Sequence, residues 1–271
     1  MKLEVLHRAP RKATHSLPLV FVHGAYGAAW VWDEHFLPYF ADNGYSAYAL
    51  SLRGHGDSDG RNGLPQFRLG DYVDDLDRVL RRVGGRAVLI GHSMGGMVVQ
   101  KMLHRRSVPA AVLMASVPPH GIIGSFCGMS LGNPRLLREL ALMQAVGPQT
   151  VDVDGLRRAL FSAAVPDEVL LSYLPRMQPE SAAVILDLLG LDLPPSTRML
   201  DVPVLVLGAE RDAFVHEGGL EATARTYGTR AEIFPGMAHA MMLEPNWRDV
   251  ADRIIEWLAT VVDTDAHRSA S

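Results

Sequence analysis

The pentapeptide Gly91-His92-Ser93-Met94-Gly95 constrains this chain more than any other stretch. It follows the apolar run Ala87-Val88-Leu89-Ile90, which reads as a short buried strand. After it, Met97, Val98, Lys101, Met102 and Arg105 fall at helical spacing. A serine pinned between two glycines where a strand turns into a helix is a G-x-S-x-G elbow. The turn is so tight that the serine backbone is strained, and a side chain at either glycine would meet neighbouring main chain. The hydroxyl is thereby lifted clear of the sheet, at the positive end of the helix dipole.

The elbow sits inside a regular alternation. Strands are expected near 17–22, 45–50, 86–91 and 109–115, with helices over 31–42, 70–83 and 94–105 between and after them. That order implies a mostly parallel sheet with helices on both faces. In the 70–83 helix, Tyr72, Leu76, Val79, Leu80 and Val83 form one apolar stripe. Its acids (Asp71, Asp74, Asp75) and arginines are expected to form a solvated face, and Gly84-Gly85 to end it. Between about 117 and 197 the alternation breaks down. Pro118-Pro119 and several glycines lead into apolar helices near 134–146, 154–162, 166–174 and 179–190. Strands near 203–208 and 231–234 and a helix over 246–261 then resume the pattern. Residues 1–116 and 198–271 are therefore expected to form an α/β core, and 117–197 an inserted α-helical cap over the carboxyl ends of the strands. The cap's Met129, Leu131, Leu136, Leu137, Leu140 and Met143 suit an internal core, part of it facing an apolar pocket.

A neutral serine needs a base to take its proton, and the base needs an orienting carboxylate. In sheets of this kind the partners follow in the order serine, acid, histidine. Asp212 lies on the loop leaving the strand Pro203–Gly208, and His239 follows the strand Ala231–Phe234 through Pro235-Gly236-Met237-Ala238. Glu210 competes for the acid role, and Asp212 is preferred because it sits deeper in the loop. An oxyanion hole needs two backbone N–H groups. One is expected from Met94, after the serine. The other is expected from Ala25, because Gly24 lets the loop after Leu19–Val22 turn toward Ser93. Tyr26 is expected at the mouth of the site, and His120, at the start of the cap, near enough to contact substrate.

Together, His23-Gly24-Ala25, Arg53-Gly54-His55-Gly56-Asp57-Ser58, Gly91-His92-Ser93-Met94-Gly95-Gly96, Asp212 and His239 resemble the α/β-hydrolase superfamily. The stretch His23 to Trp32 is similar to the oxyanion loop of small capped esterases related to plant methylesterases and hydroxynitrile lyases. The resemblance covers about residues 17–125 and 198–260 and is weak between them. It implies Ser93 as nucleophile, Asp212 as acid, His239 as base, and Ala25 and Met94 as oxyanion donors. It also implies that His23, His55 and His92 brace loops. Epoxide hydrolases and haloalkane dehalogenases of this fold use an aspartate nucleophile, so Ser93 argues against both.

The expected activity is hydrolysis of a small to medium apolar carboxylic ester or thioester, without a cofactor. Two alternatives remain open: a lyase that uses the same residues as a proton shuttle, and a small-molecule receptor. At 271 residues, 48% hydrophobic and 21% charged, the chain has an ordinary globular composition. A net charge of −4 gives no reason to expect a nucleic-acid or membrane partner. The single Cys127 excludes an intramolecular disulfide, and the 11 histidines show no metal-ligand spacing. The charged N-terminus does not read as an export signal, so a cytoplasmic location is expected, with a frayed tail over 263–271. Oligomeric state is left open.

Overall fold

In the computed structural model the described residues are 1–124, 134–195 and 201–262. Cys127, Met129, Leu131 and the polar tail lie outside them. Seven strands form one sheet: β1 (Val5–Arg8), β2 (Leu19–Val22), β3 (Ala47–Leu50), β4 (Val88–His92), β5 (Ala111–Met114), β6 (Val204–Ala209) and β7 (Ala231–Phe234). Their order is β1-β3-β2-β4-β5-β6-β7, all parallel except β1, which pairs antiparallel with β3 at the edge.

Strand side chains alternate between faces, and both faces are buried. Leu19, Phe21, Val88, Ile90, Val112, Met114, Leu205 and Leu207 point to one core, with α1 (Trp30–Asp33), α2 (Phe36–Asp42) and α10 (Trp247–Val261). Val20, Val22, Leu89, Leu113 and Val206 point to the other, with α3 (Leu69–Arg82), α4 (Met94–Leu103) and α9 (Glu217–Thr226).

The single helix expected over 31–42 is two helices. Pro38 lacks an N–H to bond the carbonyl of Glu34 and its ring would collide with that carbonyl, so the chain breaks at His35 (φ −138°, ψ −50°) and starts again. The acids of α3 are not all a solvated face. Asp75 is fully buried, and Arg53 grips it through Nε and Nη2 at 2.9 and 2.7 Å, while the third guanidinium nitrogen takes Asp71 at 2.6 Å. The sequence pattern hid this because Arg53 lies 22 residues upstream. Helix α3 ends as expected, at Gly84 and Gly85, whose φ values are 96° and 81°.

Between β5 and β6 the chain forms α5 (Pro134–Val146), α6 (Val153–Leu160), α7 (Asp167–Tyr173) and α8 (Ala182–Leu186). The helix expected from 179 starts only after Ser181, whose hydroxyl caps it, and runs into a wider turn, Asp187–Leu191. The segments on either side of α8 are bonded to the core. Gln178 accepts from Gly56 N–H at 2.6 Å, Ser181 donates to the carbonyl of Phe67 at 2.7 Å, and Asp187 pairs with Arg68. No helix of the described residues is long and apolar enough to cross a membrane.

Candidate active site

Ser93 has φ 54° and ψ −119°, a conformation costing on the order of 1–3 kcal/mol that the surrounding sheet must hold. The glycines explain how it fits. A Cβ on Gly91 would come within 2.5 Å of the Gly95 carbonyl oxygen, and one on Gly95 within 2.4 Å of the carbonyls of Val22 and His23. Backbone bonds fasten the elbow on both sides: Ser93 N–H donates to Met114 at 3.1 Å, and Val117 N–H donates to the Ser93 carbonyl at 3.1 Å.

The Ser93 hydroxyl donates to His239 Nε2 at 2.9 Å, and His239 Nδ1 donates to Asp212 Oδ2 at 2.8 Å. The other carboxylate oxygen, Oδ1, accepts from the N–H groups of Phe214 and Val215 at 2.8 and 2.9 Å. Burial would raise the Asp212 pKa. The His239 imidazole and these two N–H groups outweigh it and hold the carboxyl below the ordinary range. Asp212 thus stays ionised while aimed at Nδ1 of His239. The loops carrying the two residues run side by side, with Glu210 N–H donating to Phe234 and Arg211 N–H to Met237 at 3.0 and 2.9 Å. Glu210 is exposed and accepts from Gly236 N–H at 2.7 Å; its recorded bond is to that turn and not to His239.

The loop after β2 lies against the serine, since a Cβ on Gly24 would fall 3.0 Å from Ser93 Cβ. Ala25 and Met94 line the same cavity as Ser93, and among the described residues neither N–H donates to a protein acceptor. Two spare donors beside a hydroxyl–imidazole–carboxylate chain can receive negative charge forming on a carbonyl oxygen.

The cavity above Ser93 has a volume of about 510 Å³. Its walls include Trp30, Val31, Phe161, Tyr173, Met177 and Leu243, together with Val117, Ile122, Ile185, Leu188, Phe214 and Val215. No Asp, Glu, Lys or Arg is among its described lining residues. Tyr26 is among its lining residues, with φ 63°, its hydroxyl donating to Gln144 at 2.7 Å and its carbonyl accepting from Gln178 N–H at 2.9 Å. His120 does not join it. That side chain is exposed, and Val117 and Ile122 on either side form the wall instead, because the turn at Pro118–Gly121 carries His120 outward.

His23, His55 and His92 do brace loops. His92 Nε2 donates to the carbonyl of His239 at 2.8 Å; burial, reinforced by His239, pushes its pKa down to about 3. His55 lies 3.3 Å from buried Glu180, whose other oxygen accepts from Tyr72 at 2.6 Å. Two site residues escaped the sequence reading. The Phe214 ring packs on His239 at 4.8 Å, and an apolar residue two positions after the acid was the available signal. Glu244, buried five residues past His239, accepts from both the N–H and the hydroxyl of Ser162 at 2.6 Å, while Ala240 N–H donates to Leu160 at 2.9 Å. Nothing local to Glu244 marks it.

A monoacylglycerol lipase of Mycolicibacterium smegmatis is 24% identical over 242 residues, spanning 84% of this chain and 82% of the relative. Epoxide hydrolase 3 of Xenopus tropicalis is 25% identical over 247 residues, spanning 82% of this chain and 66% of the relative. A solved thermophilic esterase from Thermogutta terrifontis, with malate bound, superposes with a TM-score of 0.73 at 22% identity, covering 96% of this chain and 93% of that one. The model of the alpha/beta hydrolase family matches residues 19–253. That match runs from the first parallel strand into the last helix and so takes in every element that positions Ser93, Asp212 and His239: the chain belongs to the alpha/beta hydrolase family.

Proposed function

We propose that this protein is a serine ester hydrolase acting on a small to medium apolar carboxylic ester or thioester. The observation that carries the reading is the unbroken chain from Ser93 through His239 to Asp212 at the wall of an uncharged cavity. Ser93 Oγ attacks the acyl carbon while His239 Nε2 takes its proton, and Asp212 stabilises the resulting imidazolium. The N–H groups of Ala25 and Met94 receive the oxyanion. His239 then returns the proton to the departing alcohol or thiol. Water, activated by the same imidazole, releases the acid and regenerates Ser93.

Similarity to a monoacylglycerol lipase and to a solved esterase supports ester hydrolysis. A serine at the elbow favours it over epoxide opening. Residues 117–197 act as the cap: Leu137, Leu140, Met143, Phe161 and Ile185 contribute its apolar surface to the cavity, which excludes water and selects the acyl or alcohol chain.

The test is turnover of p-nitrophenyl esters graded from acetate to decanoate, with Ser93→Ala as control and intact-mass detection of an acyl adduct. Turnover that Ser93→Ala lowers by about 10⁴-fold or more, with the adduct on Ser93, is the expected result. Turnover that survives in the variant, or the absence of any adduct and any turnover, overturns the reading.

A further inference from the structure

His23 directly follows β2 and is fully buried, and its two hydrogen bonds go to main-chain atoms of Gly24 and Leu52. Its Nδ1 lies 2.8 Å from the carbonyl oxygen of Gly24, and its Nε2 lies 3.0 Å from the main-chain nitrogen of Leu52. Those partners fix the tautomer. An amide N–H only donates and a carbonyl only accepts, so Nε2 is bare and Nδ1 carries the proton. The ring therefore donates to Gly24 while anchored to the exit of the neighbouring strand.

A trans peptide points its C=O and N–H in opposite directions. The Gly24–Ala25 peptide is trans, so holding the oxygen of Gly24 also sets the direction of the Ala25 N–H. The hold matters because Gly24 has no side chain to resist rotation of that peptide. Rotation would bring a carbonyl oxygen to the place of an N–H, next to developing negative charge. Among the described residues, the other bond to the Gly24 oxygen is a long one, 3.4 Å, from Gly27 N–H. Gly24 is also the residue pressed against Ser93, so a rotated peptide would face the reacting centre.

We infer that His23 is a positioning residue that, by holding the Gly24 carbonyl, aims the Ala25 N–H at the oxyanion formed on a substrate attacked by Ser93. The inference rests on the proposed roles of Ser93 and Ala25. It separates two uses of the imidazole: the bond to Leu52 supports the fold, and the bond to Gly24 serves the transition state. His23→Asn keeps an N–H donor near the Nδ1 position. His23→Gln reaches toward Leu52 but loses that donor.

The probe is an alkyl trifluoromethyl ketone. Ser93 Oγ bonds its carbonyl carbon, the π pair moves to oxygen, and the hydroxyl proton passes to His239, giving a stable oxyanion. The matching secondary alcohol fills the cavity without being attacked. His23→Gln is expected to weaken ketone inhibition and lower kcat together, by about 10²-fold, the scale of losing an oxyanion donor. Its KM and alcohol inhibition should stay at the parent values, and His23→Asn should remain within about fivefold of the parent throughout. Equal losses for ketone and alcohol, or equal kcat in the two variants, overturns the inference.

A ketone that fails to form its adduct on the parent enzyme defeats the reading of Ser93 itself. An adduct of equal strength on the parent and on His23→Gln defeats only the role of His23. A crystal structure of the parent adduct tests the same point without a variant. The Gly24 oxygen should remain on His23 Nδ1 with the Ala25 N–H on the oxyanion. A Gly24 carbonyl turned toward the oxyanion overturns the proposal.

Discussion

His92 Nε2 and the main-chain carbonyl oxygen of His239 lie 2.8 Å apart, so the residue before the elbow serine holds the backbone of the residue facing that serine. Ser93 and His239 come from segments 146 residues apart in sequence. The bond makes their spacing a property of one hydrogen bond as well as of the sheet. His92→Phe removes this donor and leaves the His239 carbonyl with its bond from Met241 N–H at 2.9 Å, a loss of about 1 kcal/mol. Ester turnover is expected to fall about tenfold, with His92→Gln recovering part of it. Steady-state kinetics of the two variants decide, and equal activity in His92→Phe and the parent would refute the role.

Asp212→Asn is expected to lower kcat by about 10⁴-fold, because an amide facing Nδ1 favours the wrong imidazole tautomer. Glu210→Gln is expected to stay within a few-fold of the parent, since the exposed Glu210 carboxylate accepts from Gly236 N–H and not from His239. The reverse ranking would place the acid two residues upstream.

The buried pair His55–Glu180 gives stability a pH window. Burial alone would lower the His55 pKa and raise that of Glu180, but the facing charges reverse both shifts. The raised histidine contributes stability in full below its unfolded value of about 6.5 and loses it as pH rises through the folded value. The lowered glutamate contributes in full above about 4.3 and loses it as pH falls through its folded value. Glu180→Gln should therefore destabilise most between about pH 4.3 and 6.5, by about 3 kcal/mol or more, with the difference narrowing on either side. Thermal melts of parent and variant across pH measure it; a constant difference would count against an ionised pair.

Leu140 lines the cavity, whereas Leu171 is 54% exposed. Leu140→Trp should shorten the preferred acyl or alcohol chain by several carbons, each lost methylene being worth about 0.8 kcal/mol, or roughly fourfold in kcat/KM. Leu171→Ser should leave the profile unchanged. A chain-length series on both variants is the measurement, and an unshifted profile for Leu140→Trp would make the inserted helices a packing element alone.

The elbow was readable because its requirements are local. Gly91 and Gly95 are needed within a few residues of Ser93, and a strand and helix flank them. Asp212 and His239 were readable because each follows a strand of a repeating pattern. What failed depended on distant partners or edges. Asp75 looked like any acid at a helix start until Arg53 was seen to bury it. Strand β1 pairs only at the edge and carries an exposed His7 and Arg8, so no apolar run marked it. His120 was placed near the site by sequence order, and one turn sufficed to send it outward. The cavity walls join Trp30, Phe161 and Phe214 from three separate segments, which no spacing rule connects.

Ser162 and Glu244 bear on how this enzyme can be recombined. Both carboxylate oxygens of Glu244, five residues past His239, are taken by Ser162 in the link between two of the inserted helices, and Leu160 holds the amide of Ala240 next to His239. The insertion is therefore not an interchangeable module. A chimera that exchanges the helices without a Ser162 equivalent would leave a buried carboxylate with no partner beside the base. Successful grafts should be those that move the hydroxyl and the carboxylate together.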